Sequence, residues 1–600
     1  MTLADFLGDG ITAGLRSKSS ETRCTIADDI ESVTVKAFTA RTIDAVAWTS
    51  QCLNSLEDEL IRSAFPNQRK AGLVAIAGLV LGSRGHSSPD VLANAILICV
   101  ECVSDEDGKV RYAASEALFN IIRSCRRLCV PSFKLLFCAI CKLQGDSDSE
   151  NRQIAPSLDR LLREVVSETA EGDQAIEILN VLISSFHLPN IHPKQLTLSW
   201  IPLMRALFPV PFFDKLSSFL PPLFSVISQS ASSVQGWRDV AIVAVNTLRT
   251  VLEDIKDGRA SSALSNEAAN SCINVLIKYG RFQDSLTSDL SRVILFDWIG
   301  ILGSSSSFSL VPDASVELVI IVVRTLGCDP PKLVSDAIRR AHHRLLSSSS
   351  FMKSIETLAG DLMEKIEAEI AVAQCLRTVS RVVLDWIQIA SKITKVRSVD
   401  TLLSLELTSE ILHLCLSSFS IEEVATRILS LARCMSSPDA LGKLAELVSE
   451  SVTKAGQMEA FLSVVATVAL SDDGEFIFKL VQSVLDQEEI WTDQLVDQYL
   501  DGPVASVCRG ASLLIAIRSL RWNDFEALVD SLDQKDMRFV ESICLSIESE
   551  AFSERRLVLL QDAAFAKGMT KIAMRMGQSS PAFMPLFNRL QLVTVFKLFH

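Results

Sequence analysis

A chain of 600 residues is too long for one simple core, so several domains or a repeating array are expected. Hydrophobic residues make up 48% and charged residues 22%, a balance that favours folding over disorder. With a net charge of −14 and only three tyrosines, there is neither a basic footprint nor a set of stacking platforms, and no nucleic-acid partner is expected.

The opening MTLADFLGDG has no basic n-region and no long apolar run, so it does not read as a secretory signal. GDGITA (8–13) has the letters G-x-G-x-x-A of a dinucleotide turn. That turn needs a strand before it inside a βαβ unit, and only seven residues precede it; a loop before the first repeat helix is expected instead.

From there a period emerges. Arg23 in SSETRCTIADDI, Arg69 in PNQRKAGLVAIAGL, Arg111 in DGKVRYAASEAL, Arg152 in DSENRQIAPSLDRL, Lys194 in HPKQLTLSWIPL and Arg238 in VQGWRDVAIVAVNTL follow one another at steps of 46, 42, 41, 42 and 44 residues. Arg292 in SDLSRVILFDWIGIL comes after a further 54, which implies an insertion near KDGRASSALSNE. Each unit reads as an apolar helix, a short polar turn, and a second helix carrying the basic residue and small residues. That order and period are those of HEAT repeats, an all-α solenoid of the armadillo-like kind. In DEDGKVRYAASEALFN (105–120), Asp105 and Asp107 are placed to accept from the free N–H groups at the start of the second helix. Gly108 suits a turn of unusual φ. Arg111 is placed to bond the turn acid of its own or a neighbouring repeat, and Ala113, Ala114 and Ala117 allow close helix approach. On this reading Arg23, Arg69, Asp105, Asp107, Arg111, Arg152, Lys194 and Arg238 hold repeats in register.

Two C-x-x-C pairs, Cys99/Cys102 and Cys138/Cys141, have the spacing of zinc ligands but lie 39 residues apart, almost one repeat. At i and i+3 on successive first helices they read as small apolar core residues. With 15 cysteines sitting mostly in apolar helical stretches, a reducing cytosol is the expected compartment. The longest apolar runs, AGLVAIAGLVLG (71–82) and VELVIIVV (316–323), fall short of the roughly 18 residues of a membrane span and read as buried helix faces. Any membrane association is then peripheral.

Beyond about residue 311 the pattern stays helical but the repeat fades, giving three regions: 1–310, the solenoid; 311–400, connecting helices; 401–600, a C-terminal helical domain. GSSSSFS (303–309) and SSSS (347–350) mark loops. His342 and His343, in IRRAHHRLL (338–346), read as a solvated helix face, with a small basic patch against anionic lipid as the sharper alternative. The run 353–387 contains no proline and reads as one or two helices. Seven histidines, none at nucleophile–base or H-E-x-x-H spacing, and the lack of phosphate-binding or kinase motifs leave no expected catalytic, cofactor or metal site.

Four stretches carry a family resemblance. PNQRKAGLVAIAGLVLG (66–82) resembles an Arg-Lys-Gly-Gly-Leu helix, with Ala71 in place of the first glycine. DEDGKVRYAASEALFNIIRSCRR with LLFCAICKLQGDSDSENRQIAPSLDRLLREVVSE (135–168) resembles a pair of repeats. DDGEFIFKLVQSVLDQEEIW (472–491) resembles the start of a C-terminal region. GPVASVCRGASLL (502–514) and SSPAFMPLFNRLQLV (579–593) resemble the ends of a terminal domain. Together they are similar to the vacuole-morphology scaffold (Vac-fourteen) family of the phosphatidylinositol-3-phosphate 5-kinase (Fab-type) complex; residues 311–460 carry little of the likeness. The resemblance implies a non-catalytic scaffold that self-associates through its C-terminal domain. It would hold the 5-kinase together with a Sac-domain phosphatase, controlling phosphatidylinositol 3,5-bisphosphate, as a cytoplasmic protein peripheral on endosome or vacuole/lysosome membranes. Phe583, Leu586 and Phe587 form an apolar group in that domain and are the candidate oligomerisation residues, with local core packing as the plainer role. Periodicity by itself is equally compatible with another HEAT-repeat adaptor, such as a nuclear transport receptor or a phosphatase regulatory subunit.

Overall fold

A computed structural model describes residues 2–532, apart from 18, 41–43, 84–85, 87, 230–235, 283–285, 287, 393–404, 436, 486 and 520, and beyond 532 only residues 539, 567–568 and 570–572. Every regular element among the described residues is helical. The chain forms two compact units, the first Met1–Leu310 and the second beginning at Val311.

The first unit is a HEAT-repeat solenoid. After helices Leu3–Leu7, Asp9–Leu15 and Ser20–Thr39 come six helix pairs: Ala45–Leu56 with Pro66–Gly82, Pro89–Cys102 with Gly108–Cys125, Phe133–Gln144 with Ser149–Thr169, Gly172–Phe186 with Ile191–Leu207, Leu216–Ser228 with Trp237–Lys256, and Asn266–Arg281 with Asp289–Ser304. Second helices stack on second helices and first on first, giving two layers with the apolar residues between them. The starts of these helices follow from local chemistry. Asp107 and Asp148 take the N-cap position in the turns, and Pro66 and Pro89 open helices where a missing N–H costs nothing.

One correction and one addition to the sequence reading arise here. GDGITA is not a loop: Gly8, at φ +85, ends one helix and Asp9–Leu15 begins at once as another. The apolar run 71–82 is a buried helix as expected, but its glycines act in packing. A Cβ on Gly78 would lie 2.7 Å from the Ala27 carbonyl oxygen and one on Gly82 2.6 Å from that of Glu31, so only glycine lets this helix close on Ser20–Thr39.

In the second unit, two-layered helix packing continues through Ser531 although the sequence repeat is faint. Pro438–Lys454 lies between Leu405–Ser418 and Gly474–Val484, while Ile421–Arg433 lies between Leu376–Lys392 and Met458–Val468. The run 353–387 falls in three helices rather than one or two: Ser349–Glu356, Ala359–Ala371 and Leu376–Lys392. The second break has a visible cause. The amides of Gln374 and Cys375 donate to the Gly327 carbonyl at 2.8 and 3.0 Å, capping the end of helix Pro312–Gly327 instead of continuing their own. Among the described residues no helix is long and apolar enough to cross a membrane.

Candidate partner-binding surface

The turns between first and second helices of the early repeats share one design. Arg69 sits one turn into its helix and reaches forward to the next repeat, donating from Nε and Nη2 to both oxygens of Asp105 at 2.7 and 2.8 Å. Its Nη1 donates backward to the carbonyls of Ser63 and Ala64 in its own turn. Forty-two positions on, by the same numbering, Arg111 repeats this: Nε and Nη2 bond Asp146 at 2.7 Å each, and Nη1 bonds the Asp105 and Glu106 carbonyls. Each arginine thus ties its own turn to the following one through a bidentate, charge-assisted pair.

The acids divide the labour in a way the spacing did not indicate. Asp107, not Asp105, caps the helix, accepting from the amides of Lys109 and Val110. Asp105 accepts from the Asp107 amide and from Arg69 of the previous repeat. Asp146 and Asp148 reproduce that division one repeat later. Gly108 lies inside the helix with ordinary φ; what it supplies is room, since a Cβ there would meet Asp148 Oδ2 at 2.8 Å. Asn151, fully buried, bridges the turns by donating to the Gly108 carbonyl and to Asp146. The Arg111 guanidinium, working against burial, holds the Asp146 carboxyl below its usual range. At Asp105 burial pushes the other way and is overcome by Arg69 and the Asp107 amide.

Further along, the series changes character. Arg152 keeps the backward bonds, from Nη1 to the Asp146 and Ser147 carbonyls, but the next turn offers Leu188, Pro189 and Asn190 and no acid. The tie between these repeats is made lower on the helix. Arg163 holds Asp159 at 2.7 Å and both the carbonyl and hydroxyl of Ser199, and the guanidinium stacks 4.7 Å from the ring centre of the buried Trp200, whose indole N–H donates to Asp159. Lys194 is buried, donates Nζ to the carbonyls of Phe186 and Leu188, and faces the Trp237 ring of the next repeat at 5.7 Å. Burial lowers its pKa. Arg238 departs from the series: it is exposed, with no hydrogen bond or ion pair among the described residues. Arg292 resumes the backward bond, to the Leu286 carbonyl. The Arg23 side chain lies outside the described residues.

The second unit has rungs that the sequence reading missed. Arg433 pairs with both oxygens of the fully buried Asp473 at 2.7 Å across 40 residues, and Arg324 pairs with Glu369 across 45. A basic residue followed about one repeat later by an acid was the available signal, but here the arginine closes its helix instead of opening one.

Other singled-out residues resolve as follows. Cys99, Cys102 and Cys141 are buried; burial pushes the Cys102 thiol up to about 11, that of Cys141 up to about 12 and that of Cys99 higher still. Thiols so disfavoured as thiolates are poor nucleophiles and poor ligands. Among the described residues no three His, Cys, Asp or Glu side chains converge on a metal-sized site. His342 is not on a solvated face: it is buried, edge-on to Trp386 at 5.8 Å. Phe583, Leu586 and Phe587 lie outside the described residues.

The exposed positions on the second helices of these repeats include Lys109, Glu116 and Arg123 on Gly108–Cys125, spaced by seven, and Arg152, Pro156 and Arg160 on Ser149–Thr169, spaced by four. Both spacings keep side chains on one helix face, and the second series runs on to the exposed Glu164 and Glu168, so a charged stripe of mixed sign is presented. The same stretch is where a protein-family model matches. A family model described as the Vacuolar 14 Fab1-binding region matches residues 67–164. The Protein VAC14 homolog of Arabidopsis thaliana is 28% identical over 262 residues, 43% of this chain and 34% of the relative. The Protein VAC14 homolog of Schizosaccharomyces pombe is 24% identical over 283 residues, 41% of this chain and 34% of the relative. The Vacuole morphology and inheritance protein 14 of Saccharomyces cerevisiae is 27% identical over 167 residues, 27% of this chain and 18% of the relative. The chain therefore spans about a third of the length of the first two relatives. In these repeats the chain is similar to the Vac14 proteins.

Proposed function

We propose that this chain is a non-catalytic scaffold whose early repeats bind a Fab1-type phosphatidylinositol-3-phosphate 5-kinase. The observation that carries the reading is the coincidence of the Fab1-binding match, 67–164, with the tied rungs Arg69–Asp105 and Arg111–Asp146. Those rungs fix successive second helices and so hold the exposed stripe as a stiff surface, which lowers the ordering cost of docking a large partner. The fuller role follows the family resemblance: a Sac-domain phosphatase is held by the same scaffold, the chain self-associates through its C-terminal domain, and the assembly sits peripherally on endosome or vacuole membranes to control phosphatidylinositol 3,5-bisphosphate. The test is affinity purification of the full chain with mass spectrometry. Recovery of a Fab1-type kinase and a Sac-type phosphatase supports the proposal; recovery of a Ran-type GTPase or a protein-phosphatase catalytic subunit in their place replaces it with a different adaptor role.

A further inference from the structure

Helices Lys332–Ser347 and Leu376–Lys392 of the second unit line a half-open cleft of about 440 Å³, within the usual range for small-molecule sites. Its lining includes four arginines, Arg339, Arg340, Arg344 and Arg381, and one carboxylate, Asp385. That carboxylate is already drawn to Arg427, 3.6 Å away, and to His342 Nδ1 at 3.9 Å. Leu346 and Val382 supply apolar wall. His342 also lines the cleft and leaves Nε2 buried with no hydrogen-bond partner among the described residues, a polar atom of the kind that a bound group completes. Around this cleft four guanidiniums stand beside the single lining carboxylate, Asp385, in a chain of net charge −14.

We propose that this cleft binds a small organic ligand bearing two or more phosphate groups, gripped by the Arg339, Arg344 and Arg381 guanidiniums with the ligand's ring or polyol against Leu346 and Val382. Planar forked donors match phosphate oxygens bidentately, and several of them around a space this large call for more than one phosphate. The ligand's source is a soluble polyphosphate or the headgroup of a membrane lipid. The site is separate from the kinase-binding reading and stands or falls without it.

The experiment uses the full chain. Inositol hexakisphosphate is titrated calorimetrically, and phosphatidylcholine vesicles with and without phosphatidylinositol bisphosphate are tested by flotation. Saturable binding is expected, weakened by about tenfold or more in the double variant Arg344→Glu with Arg381→Glu and in the single exposed variant Arg339→Glu. Lys332→Glu, exposed on the same helix outside the cleft, is expected to leave binding unchanged. Capture only on bisphosphate vesicles assigns a lipid headgroup, and binding only to the soluble probe assigns a free ligand. No binding of either probe overturns the proposal, as does equal weakening by Lys332→Glu, which marks non-specific attraction.

Discussion

At each rung one guanidinium satisfies two turn carbonyls behind it and a carboxylate ahead of it, so truncating it orphans groups in two repeats at once. Arg111→Ala leaves Asp146, 5% exposed, without its cation, and we expect a loss of about 2–4 kcal/mol. Arg111→Lys keeps the charge but not the fork and should recover less than half of it. The readout is amide hydrogen exchange across 105–152, where protection falls in the alanine variant while the second unit is unchanged. Asp146 also sets a pH dependence. Its folded pKa is depressed, so the pair's contribution is complete above the ordinary carboxylate pKa of about 3.9 and is lost as pH falls through the lower folded value. Asp146→Asn should therefore be weaker at neutral pH and flatter in acid. His342 acts in another window. Burial lowers its pKa to about 4, and the unfolded chain binds the proton first, so stability declines as pH falls from about 6.5 toward 4. His342→Gln should remove that slope from exchange in the second unit. At this scale Arg69, Arg111 and Arg152 were legible because basic residues recur at steps of 41 to 46 residues in the sequence. Their acceptors were not, since Asp105 and Asp146 are distinguished from the capping Asp107 and Asp148 only once the preceding repeat is stacked above them.

A helix's type was easier to read than its reason. The run 71–82 announces a buried helix by hydrophobicity alone, yet Gly78 and Gly82 are explained only by the backbone of Ser20–Thr39 lying against them. Gly78→Ala, a change that raises helix propensity, should nonetheless destabilise by about 1–3 kcal/mol, because the new methyl meets a carbonyl and not a yielding side chain. Urea unfolding of this variant beside Gly442→Ala, where nothing lies within 4 Å of the added atom, separates the two effects. His342 shows the opposite failure. In IRRAHHRLL four polar or basic neighbours suggest solvent, but helix periodicity turns this one position onto Trp386. The break at 372–375 had no proline to mark it and depends on the Gly327 carbonyl of a distant helix.

For the whole molecule, stacking ties neighbours to neighbours, so the rungs distribute stiffness along the first unit and leave its exposed second-helix stripe as the part free to meet a partner. Self-association is tested with a truncation placed by the fold. Arg509–Arg518 is buried against Gly474–Val484, so a cut at residue 501 would strip a core helix, whereas a chain ending after Leu532 keeps it. Light scattering should give an oligomer for the full chain and a monomer for 1–532; equal mass per chain for both would count against C-terminal self-association. The most direct measurement of the central claim is binding of a purified Fab1-type kinase to the full chain, compared with Arg123→Glu plus Arg160→Glu on the stripe. The account predicts a stable complex with the unaltered chain, and loss of that complex in the double variant while hydrogen-exchange protection at the rungs is retained. A kinase that fails to bind the unaltered chain, or binds the folded double variant equally well, would contradict it.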